Sequence, residues 1–197
     1  YYDHNMLVMS ERISDHLPKT EKYIPKQRLW YIRAKEVIIS SGSIERPLVF
    51  GNNDTPGVML SSAAKEYLKI YGVLVGKKPL IFTNNDSGYE TAIEFKKNGI
   101  DPIVLDTRKD PNSEIIKEAK DLNINIKFSY VVVSAKGYKK VSSADIAKIS
   151  DDKKNISNIE NIKCDCICVS GFWTPTIHLA SQSGNKTKFN EEIDAFV

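Results

Sequence analysis

The sequence lacks the features that would place the chain in a membrane or direct it out of the cell. No apolar run approaches the roughly 20 residues that a membrane-spanning helix needs. The N-terminus has no succession of basic, apolar and small residues of the kind that forms a secretion signal. With 41% hydrophobic and 27% charged residues among 197, the composition is that of an ordinary globular chain. These absences predict a cytoplasmic protein without a membrane partner.

Charge of one sign is not concentrated anywhere in the chain. The net charge of +3 arises from lysines that are spread along the sequence with acidic residues between them. A nucleic-acid-binding surface would cluster its basic residues. The richest basic runs, 136–140 and 153–154, lie in stretches typical of surface loops, where solvation accounts for them. The pattern therefore predicts no nucleic-acid partner.

Cysteine is scarce, and its three occurrences fall close together. Cys164, Cys166 and Cys168 alternate along an apolar run with the pattern of a strand, so we expect all three on one face of that strand. Disulfides are awkward at this spacing, and a metal ion would lack a fourth ligand nearby. We predict small buried hydrophobic residues that bind no metal, and a fold that survives their replacement by Ala or Val.

A glycine-rich phosphate loop is also missing, because G-x-G-x-x-G occurs nowhere in the chain. The pattern of elements is nevertheless that of an α/β protein. Strands are predicted at 5–12, 27–34, 37–39, 79–82, 102–106, 125–133 and 164–170, helices at 61–71, 89–98 and 113–122, and a β-meander within 134–161. The strand–helix–strand succession from residue 79 onward predicts a parallel sheet.

Loop 83–88 stands where a Rossmann unit carries its glycine fingerprint, and it keeps only the last glycine, Gly88. Asp86 would put a negative charge where a phosphate must sit at the helix N-terminus, so Asp86 or Ser87 is better interpreted as the N-cap. Asp106, about 20 residues further on, has the position of a ribose-binding acid. We favour a vestigial nucleotide site over a working one, and predict that Asp106→Ala leaves the NAD content unchanged.

The stretch 36–60 organises the chain. Its short β-branched run at 37–39 predicts a buried parallel strand, and the small residues Ser40, Ser41 and Gly42 follow directly. Small residues at a strand's carboxyl end let a nucleotide approach closely, so these three are candidate cofactor contacts. A plain strand-to-loop turn is the alternative. Chain breakers then indicate that the chain leaves one sheet and enters another unit: Pro47, Gly51, Pro56 and Gly57.

Longer motifs are spread along the chain in a fixed order. They are Tyr2-Asp3-His4-Asn5, Arg28-Leu29-Trp30, Ile32-Arg33-Ala34-Lys35, Ile44-Glu45-Arg46-Pro47-Leu48-Val49-Phe50, Asn52-Asn53-Asp54-Thr55-Pro56-Gly57-Val58-Met59-Leu60, Thr83-Asn84-Asn85-Asp86, and Val169-Ser170-Gly171 through Trp173, Pro175, His178 and Leu179 to Ser181-Gln182-Ser183-Gly184. In this combination the chain resembles the alpha subunit of heterotetrameric sarcosine oxidase. Ser40-Ser41-Gly42-Ser43 stands where that family usually has Ala-Thr-Gly-Ala, and Gly171-Phe172 where it usually has a glycine pair.

The resemblance implies an α/β, Rossmann-like FAD/NAD(P)-binding fold within a flavoenzyme complex. Such a complex is an oxidoreductase of the CH–NH group that demethylates sarcosine to glycine, hydrogen peroxide and a one-carbon unit on tetrahydrofolate. In that family the alpha subunit holds NAD, the beta subunit holds FAD, and FMN lies between subunits. None of the reacting centres maps onto this segment, so it is predicted to be a scaffold without catalytic residues. Ser40, Ser41, Gly42 and Gly171 are the predicted cofactor contacts.

The resemblance also implies a division of the chain. Residues 1–56 would be the C-terminal part of a first FAD/NAD(P)-binding domain, 57–178 a nearly complete, degenerate second domain with a β-meander, and 179–197 the return to the first. The phosphate loop is then expected before Tyr1, and the chain alone is expected to have a folded core without measurable NAD affinity. The alternatives are the large subunit of a related amino-acid or opine dehydrogenase, and a non-catalytic module with a vestigial nucleotide fold.

Overall fold

A computed structural model describes residues 4–19, 21–182, 184 and 186–197. Tyr2, Asp3 and Ser183, which belong to the motifs above, lie outside the described residues. The strands are β1 (Met6–Arg12), β2 (Gln27–Arg33), β3 (Ser43–Glu45), β4 (Val58–Leu60), β5 (Pro79–Thr83), β6 (Ile103–Asp106), β7 (Asn125–Phe128), β8 (Tyr130–Lys136), β9 (Ser143–Lys148), β10 (Glu160–Ile162), β11 (Cys166–Ser170), β12 (Trp173–Pro175), β13 (Phe189–Asn190) and β14 (Ala195–Phe196). The helices are α1 (Ser61–Tyr71), α2 (Ser87–Lys97), α3 (Glu114–Asp121) and α4 (His178–Gln182).

The chain forms two compact units. The larger unit is Glu45–Trp173, and the smaller consists of Tyr1–Ile44 with Thr174–Val197. Residues 45–56 thus belong to the larger unit, whereas the domain division expected from the sequence placed them with the N-terminal segment. Among the described residues, no helix is long and apolar enough to cross a membrane.

The larger unit is built on a five-stranded sheet with the order β4-β11-β5-β6-β7, in which all strands are parallel. Every residue of β5 and β11 is buried. Parallel strands covered on both faces are expected to be continuous apolar runs, and both sequences have that form. Parallel pairing brings the carboxyl ends of β11, β5 and β6 to one edge of the sheet.

One face of the sheet is covered by α1, α2 and α3. The core on this side is formed by Ala64, Ile81, Tyr89, Ala92, Ile93, Phe95, Val104, Ile116, Ala119, Ile124, Cys166 and Cys168. The other face is covered by the antiparallel meander β8-β9-β10, whose residues share a core with Leu80, Phe82, Leu105, Ile167 and Val169 of the sheet. The prediction of an α/β, Rossmann-like fold of three layers with a β-meander is confirmed.

The helices begin and end close to their predicted positions. Gly72 ends α1 in the left-handed conformation, with φ of +62°, as expected for a helix-terminating glycine. Helical periodicity places Ala64 and Tyr71 on one face of α1, but Ala64 is fully buried whereas Tyr71 is 70% exposed. Tyr71 instead packs beside Tyr67 on the outer side of the helix, with 6.1 Å between ring centroids.

Two predicted strands are corrected by the structure. The run 125–133 is not continuous, because Ser129 has a φ of +58° and separates β7 from β8. The run 37–39 forms no strand, and Ile38 is 94% exposed. A buried parallel strand needs neighbours that accept its backbone hydrogen bonds, and no described strand pairs with this run.

The three cysteines are buried with free thiols, as predicted, but they do not share one face of a strand. Cys166 and Cys168 lie in β11 and pack under the helices, whereas Cys164 precedes the strand and packs with the meander core. Burial raises the pKa of the Cys164 thiol to about 12. Hydrogen bonding with Cys166 and burial also raise the pKa of Cys168. The absence of bound metal stays a prediction.

The smaller unit contains the predicted N-terminal hairpin. Strands β1 and β2 pair antiparallel, with Met6 opposite Arg33 and Arg12 opposite Gln27. The indole Nε1 of Trp30 donates a hydrogen bond to Glu11 Oε2 at 2.8 Å, which ties the two strands together. A second antiparallel pair, β13 with β14, lies near the C-terminus.

Candidate functional site

Loop 83–88 follows β5 at the carboxyl edge of the sheet, the edge where open α/β sheets bind ligands. Thr83 is fully buried, and its Oγ1 donates to the Asn85 carbonyl at 2.8 Å. Asn85 Oδ1 accepts the Ser87 N–H at 2.8 Å, which satisfies a backbone donor at the start of α2. Asp86 has the N-cap position, as predicted, but its side chain makes no capping hydrogen bond.

Gly88, the remaining fingerprint glycine, has a packing role. A Cβ at this position would lie 2.7 Å from Thr83 Cβ, a distance that would force the helix away from the strand. Close helix–strand packing is the purpose of the third glycine in a dinucleotide-binding loop. The loop thus keeps the geometry of the fold while its two phosphate-facing glycines are replaced.

Two hydrogen bonds join the loop to residues outside it. Trp173 donates from Nε1 to Ser87 Oγ at 2.8 Å, directly at the N-terminus of α2. Asn85 Nδ2 donates to the Ser170 carbonyl at 3.1 Å, joining the loop to the end of β11. In a working dinucleotide site, the backbone donors at this helix N-terminus face the pyrophosphate.

Asp106 lies at the end of β6, where a ribose-binding acid was considered. It is fully buried, and four donors surround its carboxylate. They are Tyr89 Oη at 2.7 Å, Arg108 N at 2.9 Å, Arg108 Nε at 3.1 Å and Arg108 Nη2 at 2.8 Å. A carboxylate has about four lone-pair sites, so Asp106 has no acceptor left for a ribose hydroxyl.

Arg108 joins this network to the start of α2. Its Nη2 lies 2.8 Å from both Asp106 Oδ2 and Asp86 Oδ1, so one guanidinium neutralises two carboxylates. Burial alone would lower the pKa of Arg108, but hydrogen bonds to Asp106 and Asp86 outweigh it and the pKa is raised. Burial, together with the adjacent Asp106 charge, raises the pKa of Tyr89 well above its ordinary range.

The residues at this edge therefore do not fit a dinucleotide. Asp86 presents its own carboxylate at the helix N-terminus, Arg108 is occupied by two acids, and Asp106 is saturated. A pyrophosphate would meet a negative charge where it needs backbone N–H donors.

Ser40, Ser41 and Gly42 lie in the smaller unit and form an open turn. Ser41 Oγ donates to the Thr176 carbonyl at 2.6 Å, and Thr176 N donates to the Gly42 carbonyl at 2.9 Å. Gly42 has a φ of +67°, and a Cβ added to it would meet no atom within 4 Å. The turn leaves room for the close approach of a ligand, so its residues are compatible with a cofactor contact.

Gly171 lies in the larger unit, and the protein's own backbone approaches it. Its N–H donates to the Arg46 carbonyl at 2.7 Å, and Arg46 N donates to the Phe172 carbonyl at 2.8 Å. A Cβ at Gly171 would lie 2.9 Å from the Arg46 carbonyl oxygen and 3.0 Å from Leu48 Cγ. Segment 46–48 thus packs against Gly171 in the space that a side chain would need.

Sequence reasoning missed Arg108 and Glu45. Arg108 follows Asp106 by two residues, and this Asp-x-Arg spacing was the available signal. Glu45 is 4% exposed and accepts the Ser62 N–H at 2.8 Å, so it caps α1 from a distant part of the chain. No local pattern could have indicated that contact.

No protein-family model matches the chain. Among solved structures, it is similar to a thioredoxin reductase from T. acidophilum, with a TM-score of 0.64 and 17% identity over 84% of this chain and 53% of that one. It is also similar to the flavoprotein disulfide reductase RclA from Escherichia coli, with a TM-score of 0.60 and 16% identity over 100% of this chain and 40% of that one. At these identities the likeness concerns the fold, which is the Rossmann-like α/β fold described above.

Over its whole length, the chain is similar to part of the sarcosine oxidase subunit alpha. It is 34% identical over 198 residues to the protein of that name from Rhizobium meliloti (strain 1021), covering 100% of this chain and 19% of the relative. It is 32% identical over 197 residues to the one from Corynebacterium sp. (strain U-96), covering 100% of this chain and 20% of the relative. The chain thus spans about a fifth of the length of the curated relatives that it matches.

An L-proline dehydrogenase from P. horikoshii also has a similar structure. Its TM-score is 0.57, at 19% identity over 98% of this chain and 29% of that one. At this identity the likeness concerns the fold.

Proposed function

We propose that this chain is part of the alpha subunit of a sarcosine oxidase-like flavoenzyme complex. The complex would be an oxidoreductase of the CH–NH group that converts sarcosine to glycine, hydrogen peroxide and a one-carbon unit on tetrahydrofolate. It would be a hetero-oligomer that acts in the cytoplasm. The similarity along the whole chain to sarcosine oxidase alpha subunits is the observation that carries this proposal.

Within the complex, we assign this chain a scaffold role. The edge of the larger unit where a nucleotide would bind is occupied by the Asp86–Arg108–Asp106–Tyr89 network, so bound NAD is assigned to the first nucleotide-binding domain. Ser40, Ser41 and Gly42 would contact it there, since their turn has space for a ligand. FAD, FMN and tetrahydrofolate would be held by other parts of the complex.

The proposed domain arrangement follows from the same assignment. Residues 1–56 and 179–197 would belong to the first nucleotide-binding domain, and 57–178 to the second. The apolar run at 37–39 supports this domain arrangement. Ile38 is 94% exposed, whereas a parallel strand at that position of the first domain would be buried by neighbouring strands.

The test is sarcosine-dependent formation of hydrogen peroxide by the full-length protein, purified together with the subunits that accompany it. We expect peroxide with sarcosine, none with glycine, and formaldehyde release when tetrahydrofolate is left out. Nucleotide analysis of the same preparation should give one NAD for each alpha subunit. An assembly that retains its flavins but does not oxidise sarcosine would contradict the proposal.

A second candidate is the large subunit of a related amino-acid or opine dehydrogenase, and the observation behind it is the likeness in fold to an L-proline dehydrogenase. The two enzymes differ in their electron acceptor. A dehydrogenase would oxidise L-proline with an artificial acceptor and form no peroxide in air. Comparing sarcosine with L-proline, each with oxygen and with a dye, separates the two activities in one experiment.

A further inference from the structure

A groove beside the edge strand β4 lies outside the site described above. It has a volume of about 390 Å³ and is lined on its apolar side by Leu48, Val58, Leu60 and Val169. Volumes of this size are common for small-molecule sites. Val169 is almost fully buried, and Leu48 and Val58 pack against the meander core, so the groove has a fixed apolar floor. We call it the edge groove.

The polar side of the edge groove is formed by Asn53 and Asp54. Both side chains are exposed, and among the described residues neither has a hydrogen-bond or ion-pair partner. Among the residues that the structure describes, no lysine or arginine lines the groove. An unpaired carboxylate and an amide beside an apolar floor provide acceptors for a donor or a positive charge.

The turn that carries these two residues is anchored to the meander. Gly51 donates from its N–H to the Val133 carbonyl at 2.9 Å and accepts from Ala135 N at 2.8 Å. Asn52 Nδ2 donates to Ser134 Oγ and to the Ala135 carbonyl, each at 3.2 Å. The turn closes with a hydrogen bond from Thr55 N to the Asn52 carbonyl at 3.1 Å. Asp54 is thus held over the groove on a rigid support, as a pre-organised site requires.

We propose that the edge groove binds a small organic cation with apolar substituents, such as an alkylated ammonium ion. The charged head would lie against Asp54, and the alkyl or aryl groups against Leu48, Val58 and Leu60. The charge of the groove selects this occupant, since an anionic ligand would meet Asp54 without a compensating cation. The proposal does not depend on the activity proposed above.

Two probes of similar shape and opposite charge test the proposal on the full-length protein. They are benzyltrimethylammonium and benzylsulfonate, titrated with saturation-transfer NMR as the readout. We expect saturable binding of the cation, about tenfold tighter than that of the sulfonate. Equal affinity for both probes, or no saturable binding of the cation by the folded protein, would overturn the proposal.

Three variants locate the binding. Asp54→Asn removes the charge at constant volume, and we expect cation binding to weaken about two- to fivefold. Asn53→Trp should abolish binding of the cation by filling the mouth of the groove, at little risk to the fold because Asn53 is exposed. Asp110→Asn removes another exposed carboxylate outside the groove and should leave binding unchanged. Unchanged binding in Asp54→Asn, or equal weakening in Asp110→Asn, would contradict the assignment.

Discussion

Two parts of the chain stand where a nucleotide-binding fold can hold its ligand, and they differ in what occupies them. At the carboxyl edge of the parallel sheet, Arg108 pairs with both Asp86 and Asp106, and Tyr89 donates a hydrogen bond to Asp106. At the turn 40–42 the protein leaves open space beside Gly42. The comparison shows that a nucleotide-binding fold does not by itself provide a nucleotide site, because polar side chains of the protein can take the ligand's place.

The difference can be expressed as an energy. A nucleotide that entered the sheet edge would have to separate Arg108 from buried Asp106, and breaking a buried ion pair by removing one partner costs about 3–5 kcal/mol. That cost lowers an affinity by a factor on the order of 100 or more. The turn 40–42 has no such internal ion pair among the described residues, so a ligand could approach it without this penalty.

The largest effect is expected from Asp106→Ala. Arg108 and the Tyr89 hydroxyl would lose their shared acceptor, so the free energy of unfolding should fall by about 3 kcal/mol. Denaturant unfolding of the full-length protein measures this change, and Asp110→Ala, at an exposed position, is the control. The NAD content of the variant should equal that of the unchanged protein. A clear fall in retained NAD in a folded variant would mean that the sheet edge is a working site.

Gly171→Ala tests whether the backbone of the larger unit fills the space beside Gly171. The added Cβ would lie 2.9 Å from the Arg46 carbonyl oxygen, and relieving such an overlap costs about 2 kcal/mol. Thermal unfolding should therefore show a lower melting temperature, with the NAD content unchanged. If stability were kept but NAD were lost, Gly171 would be a cofactor contact instead.

Tyr89→Phe tests the polar network at the sheet edge through the pH dependence of the free energy of unfolding. At neutral pH the loss of the hydroxyl donor to Asp106 should cost about 1–2 kcal/mol. The pKa of Tyr89 is raised in the folded state, so the folded protein holds this proton more tightly than the unfolded chain does. Stability from this group is complete below the unfolded pKa of about 10 and is lost as pH rises above it.

The measurement is the free energy of unfolding between pH 7 and 11 for both proteins. The advantage of the unchanged protein over Tyr89→Phe should shrink above about pH 10. Tyr138→Phe is a suitable control, because Tyr138 is 95% exposed. Parallel curves for the unchanged protein and Tyr89→Phe would show that the phenol does not titrate as described.

The smallest effect on stability is expected from Gly42→Ala. Its φ of +67° makes a Cβ unfavourable by about 1 kcal/mol, while no atom lies close enough to clash. Gly72→Ala is a matched control, since Gly72 has a φ of +62° and equally open surroundings. Both variants should lose similar stability, but only Gly42→Ala should lower the bound NAD. Equal NAD contents in the two variants would remove the turn from the proposed cofactor site.

The positions of most elements could be predicted from the sequence because they depend on local signals. Continuous apolar runs indicated β5 and β11, and glycine at the end of α1 indicated its termination. Loop 83–88 could be interpreted in the same way, since missing glycines and an acidic residue are visible in the sequence. These features arise from backbone preferences and burial patterns within a few residues.

The tertiary structure alone decided which polar groups meet. Parallel pairing of β5 with β6 places Asp86, Tyr89 and Arg108 around Asp106, and no local pattern encodes that alignment. The close packing at Gly171 also depends on tertiary structure, because the backbone that approaches it comes from segment 46–48. The run 37–39 resembled a buried strand, yet a strand forms only where a neighbour accepts its hydrogen bonds. The sequence by itself determined most of the elements, whereas contacts between distant segments decided whether the run 37–39 is buried and which sites are closed.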